Sequence, residues 1–212
     1  MAENEKKKFS LGGIDDKAEG KGSFFKTLWQ IVKFLVVSGL VTIIQLALAA
    51  LLPLVCDQIQ TLLPEFLRGI FTPTMFTTGS EEAKKYVIDG VVTWGYVLPF
   101  LLSNLIANIY GFYQNKKTTF KSDAPWYNFA VYIVLLLALI LFSTWMQGAI
   151  VGALLKVEAT NWFLNIVTNE SVARLIASMA AGFVQMVVLF PMEKFVLLKE
   201  KKKDGEEAPA AE

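Results

Sequence analysis

Four long apolar runs separated by polar stretches set the pattern of this chain. They cover residues 34–55, 91–114, 129–155 and 173–189. A helix rises about 1.5 Å per residue, so about 20 residues cross the hydrocarbon core of a bilayer. The pattern predicts an all-α membrane protein with four transmembrane helices. Short connections at 122–125 and 156–171 join them, with a long one at 56–90.

Polar positions inside the runs fall on single helical faces. In the second run, Asn104, Asn108, Gly111 and Asn115 are spaced four, three and four apart. Ser38, Thr42, Gln45 and Ala49 repeat that spacing in the first run. Ser178, Gly182 and Gln185 follow it in the fourth, and the third run carries Thr144 and Gln147. Amides in hydrocarbon are costly without partners, so these faces are expected to point into protein or a watery groove. Lys33 stands at the mouth of the first run, and Lys116, Lys117 and Lys121 follow the second. A polar stripe leading to a basic collar is suited to an anionic lipid headgroup. The candidate substrate-binding residues are Asn115, Lys116, Lys117, Asn104, Asn108, Lys33, Gln45, Gln147 and Gln185. The same lysines suit topological anchoring, and the same amides suit helix–helix contact.

The long connection carries Pro64 and Pro73. Its apolar segment 59–71 is too short to span and reads as an interfacial or re-entrant helix. Thr78-Gly-Ser-Glu81 has the spacing of a capping box, predicting a short helix over 81–90. Trp94 and Tyr96 suit an aromatic belt, whereas Trp145 lies deeper and is expected to pack the core. Gly148-x-x-x-Gly152 suits close helix packing or a dimer contact. Asn169-Glu-Ser171 matches a glycosylation acceptor, but such short matches arise often by chance. Glu193 beside Lys194 reads as an interfacial ion pair.

Charge sets orientation. Fifteen of the 20 Lys and Arg lie in the two terminal stretches and the middle loop. The positive-inside rule then puts both termini and that loop in the cytoplasm. The charged segments 1–24 and 199–212 are expected to be disordered tails around a membrane domain at 25–198. There is no His and one Cys, so no disulfide, cysteine-based zinc cluster or histidine base is available within the chain. No nucleophile–base pair, metal set or phosphate-cradling Gly loop is evident, so no enzyme, metal or cofactor is expected. No nucleic-acid partner is expected either. None of the four runs carries Asp, Glu or His near its centre, which argues against a proton-coupled multidrug exporter.

The halves look alike. Each opens at an aromatic entry, Lys33-Phe34 or Asn128-Phe129. Each closes on a similar string, Asn115-Lys-Lys-Thr-Thr-Phe120 or Met192-Glu-Lys-Phe-Val-Leu197. Two tandem helical hairpins are expected, both termini inside. On these residues, with Lys33-Phe-Leu-Val-Val-Ser-Gly39 and Thr42, the chain resembles the GtrA-like family of small four-helix membrane proteins. It departs from that family's pattern at Gln45, Val41, Gly111 and Lys116. The resemblance implies translocation of a polyprenyl-phosphate-linked sugar across a bacterial cytoplasmic membrane, for cell-envelope polysaccharide or teichoic acid glycosylation. The alternative is a non-transporting subunit that recruits a glycosyltransferase, with the charged tails as docking segments. Membrane lipids and a second copy of the chain are the other expected partners.

Overall fold

The computed structural model describes residues 18, 20, 22–76, 79–158 and 160–199. The expectations for the far ends of both tails, and for Thr78 in the capping box, lie outside the described residues. Among the described residues four helices are long and apolar enough to cross a membrane, as in a multi-pass membrane protein.

Helix α1 (Ser23–Leu51) begins well before the apolar run and ends two residues before Pro53, whose missing N–H cannot continue the ladder. A four-residue turn, α2 (Pro53–Cys56), follows and buries Cys56. The second and third long helices are α5 (Trp94–Gln114) and α6 (Trp126–Leu154). The fourth, α8 (Glu170–Pro191), is preceded by a short helix, α7 (Trp162–Val167). Asn169 caps α8, its Oδ1 accepting from the N–H groups of Ser171 and Val172. Helix capping is thus a structural role for the Asn-Glu-Ser triplet.

The long connection departs from expectation. Residues 59–71 form no continuous helix. They hold a bridge from Leu62 to Thr93 and one helical turn, α3 (Glu65–Arg68). The predicted helix at 81–90 stops early, as α4 (Glu81–Tyr86), capped by Ser80 Oγ. A hairpin follows, β1 (Val87–Ile88) against β2 (Val91–Val92), pairing Val87 with Val92 and Ile88 with Val91. Asp89 and Gly90 adopt φ of 50° and 74°, as a tight hairpin turn requires. These pieces form a cap around Leu63, Phe71, Phe76, Tyr86, Val92 and Val97, packed on α5 through Phe100 and Leu101 and on α6 through Leu141. The Arg174 guanidinium of α8 donates to the Thr74 and Phe76 carbonyls and, at 2.6 Å, to Glu170. In the same cap Asp57 accepts from Lys85 and Tyr86. The Lys85 bond, followed by that of Tyr86, holds the Asp57 carboxyl below the usual carboxylate range. Burial, reinforced by Asp57, pushes the Tyr86 phenol up.

In the bundle α1 packs chiefly on α5, and α6 on α8. α1 and α5 meet closely at Gly111, where an added Cβ would lie 2.7 Å from Val41 Cγ2. Among the described residues of the chain the Gly148/Gly152 pair does not pack against another helix. Gly148 faces Thr72 of the cap, and Gly152 faces open space. Trp145 likewise does not pack the core; it is half exposed on the bundle surface.

Both α5 and α8 run on into π-helical turns, Asn115–Thr119 and Met192–Leu197. Phe120 N–H bonds back to Asn115 O, and Leu198 N–H to Glu193 O. These equivalent bonds pair Asn115 with Glu193, so the closing strings align one residue later than their letters imply. Ring contacts cross between the helix pairs reciprocally: Phe34 of α1 with Phe190 of α8 at 5.4 Å, and Phe112 of α5 with Phe129 of α6 at 5.6 Å.

Candidate functional site

A cavity of about 210 Å³ lies between α1, α5 and α8, with Tyr132 of α6 also on its wall. It reaches the bundle surface at the exposed Thr42 and Gly182. Helical periodicity builds its polar lining. Ser38, Thr42 and Gln45 share one face of α1, Asn108, Gly111 and Asn115 one face of α5, and Gly182, Gln185 and Glu193 the facing side of α8 and its extension. Gly111 adds no side chain here, which keeps α5 close to α1.

The hydrogen bonds leave usable capacity. Asn108 Nδ2 donates to Asn104 O at 2.9 Å, while Tyr132 OH donates to Asn108 O at 3.0 Å. Gln185 Nε2 donates to Ser143 Oγ at 3.0 Å. Each amide thereby keeps its carbonyl oxygen as an acceptor. Gln45 makes no side-chain hydrogen bond among the described residues, so both its donors and its acceptor are available.

Glu193 was not among the expected site residues. Its side chain is 1% exposed and its Oε2 accepts from Asn115 Nδ2 at 2.9 Å; Asn115 Oδ1 accepts from Thr119 Oγ1 at 3.0 Å. The expected ion pair with Lys194 does not form: Lys194 donates to Thr27 Oγ1 at 2.6 Å. A carboxyl group therefore stands on the cavity wall, four residues beyond the last apolar run, while the centres of the four runs remain free of Asp, Glu and His. Its position beside Pro191 and Lys194 reads as a membrane boundary. The π-turn instead carries it inward to Asn115.

The other expected site residues divide. Asn108, Asn115, Gln45 and Gln185 line the cavity. Asn104 is buried outside the cavity lining, and its Nδ2, like that of Asn108, donates one turn back in its own helix, to Phe100 O. Gln147 sits away from the cavity, near Ser178, whose hydroxyl donates to it at 3.4 Å. Lys116 and Lys117 line a second, shallower hollow of about 570 Å³ with Tyr113, Gln114, Lys121, Ser122 and Asp123. Lys116 Nζ donates to Ala124 O at 2.6 Å. Lys33 Nζ donates to Thr118 O at 3.0 Å, tying the start of α1 to the end of α5. Asn128 Nδ2 makes the parallel contact to Leu197 O at 2.6 Å. All the expected rim lysines thus gather at one end of the bundle.

No family model, curated protein or solved structure matches this chain.

Proposed function

We propose that the chain moves a polyprenyl-phosphate-linked sugar across the cytoplasmic membrane of a bacterium. In this reading two tandem helical hairpins, α1/α5 and α6/α8, stand with both termini in the cytoplasm. The observation that carries it is the amide-lined cavity inside the apolar bundle, with a lysine-bordered hollow at the same end as the π-turns. Lys116, Lys117 and Lys121 attract the lipid phosphate at the inner leaflet. Gln45, Asn108 and Gln185 exchange hydrogen bonds with sugar hydroxyls, substituting for water. The cavity is smaller than the roughly 300–1,000 Å³ of drug-sized sites, which suits one headgroup. Its edge at Thr42 and Gly182 leaves the polyprenyl tail in lipid.

Reversing the charge of Lys116 and Lys117 together is the test. With normal membrane insertion, surface display of the sugar is expected to be lost; undiminished display would refute the assignment. Glu193 favours a second reading, export of a small organic cation, because a carboxylate in the bundle attracts cations. Drug-resistance phenotypes that survive loss of sugar display would favour that reading.

A further inference from the structure

We propose that the headgroup carried in the α1/α5/α8 cavity bears an amine, and that Glu193 is the residue that selects it. This rests on the sugar-lipid reading and narrows its substrate class to amino sugars. The carboxylate is almost wholly buried and faces the cavity, and its hydrogen bond among the described residues comes from a neutral amide, Asn115. Among the described residues Glu193 makes no ion pair. The cations at this end are directed elsewhere: Lys194 to Thr27 and over the Phe195 ring at 5.3 Å, Lys33 to Thr118 O, Lys116 to Ala124 O. The cavity lining itself holds no Lys or Arg. A buried carboxyl in such surroundings gains from an incoming ammonium, which offers three donors and the positive charge that stabilises its ionised form. A neutral hydroxyl offers one donor and no charge. The remaining lining, Thr42, Gln45, Asn108 and Gln185, suits the hydroxyls of the same ring.

Two probes that differ in one group separate the alternatives: glucosamine and glucose, each esterified to a short polyprenyl phosphate. Binding to the full-length protein in detergent and movement across reconstituted vesicles are both measured. The amine probe is expected to bind about tenfold tighter or more at neutral pH, as one charge-assisted contact gives. Glu193→Gln keeps an acceptor for Asn115 and is expected to erase the difference. Equal binding of the two probes by the unaltered protein would overturn the amine assignment while leaving sugar-lipid transport standing. If neither probe binds or moves, both the amine assignment and sugar-lipid transport are overturned. Because the probe comparison is made on the unaltered protein, a folding defect in the variant cannot obscure it.

Discussion

Asn115 joins the two π-turns, and its replacement by Ala gives the sharpest test of how they are held. The change removes the Nδ2 bond to Glu193 Oε2 at 2.9 Å and the acceptor for Thr119 Oγ1 at 3.0 Å. Asn115 is 3% exposed and Glu193 1%, so water has little access to replace the lost donor. Hydrogen bonds inside proteins contribute about 0.5–1.5 kcal/mol net, and those between membrane helices average about 0.6 and reach about 1.7 kcal/mol. The overlap predicts a coupling of about 1 kcal/mol between the two side chains. Unfolding by dodecyl sulfate in mixed micelles is measured for the parent, Asn115→Ala, Glu193→Ala and the double variant. The double-mutant cycle isolates the pair from the Thr119 contact and from changes in cavity packing. A coupling within about 0.3 kcal/mol of zero, near the limit of additivity for independent sites, would refute the contact as a structural link.

Gly111→Ala is expected to lower thermal stability in detergent, by roughly 1–3 kcal/mol for an overpacked contact, because its Cβ would meet Val41 Cγ2 at 2.7 Å. Val41→Ala in the same chain should restore much of the loss, and no restoration would contradict the close approach of α1 and α5. In the cap, Asp57 has its carboxyl held below the ordinary range by Lys85 and Tyr86, so its contribution is present above the unfolded value and lost as pH falls through the folded one. Acid titration of stability should therefore show a loss below about pH 4 that Asp57→Asn lacks; identical acid limbs would contradict it.

The crossings were legible because a run of apolar residues long enough to span is a length constraint, whatever the packing. Periodicity correctly brought Gln45, Asn108, Asn115 and Gln185 to one cavity. It names a face but not a partner, and so could not tell these from Asn104 and Gln147, which lie outside the cavity lining. Glu193 reads from the sequence as interfacial because Pro191 and Lys194 mark the end of the membrane segment. Only the π-turn, with one extra residue per hydrogen-bonded loop, sets the carboxylate opposite Asn115. The hairpin carries its own signal, an Asp-Gly pair flanked by Val-Ile and Val-Val, which outweighs the helix that the capping pattern predicts there. The positions of Trp145 and Gly148 depend on how α6 meets its neighbours and the cap, which a single helix pattern does not encode.

Transport itself is most directly measured with the purified protein alone in sealed vesicles, loaded with a fluorescent polyprenyl-phosphate sugar on one leaflet. An impermeant sugar-modifying enzyme reports how much reaches the other face. The account predicts protein-dependent exposure that the Lys116/Lys117 charge reversal abolishes. Exposure no faster than in protein-free vesicles, from protein that instead retains a glycosyltransferase, would contradict it and leave a membrane anchor in its place.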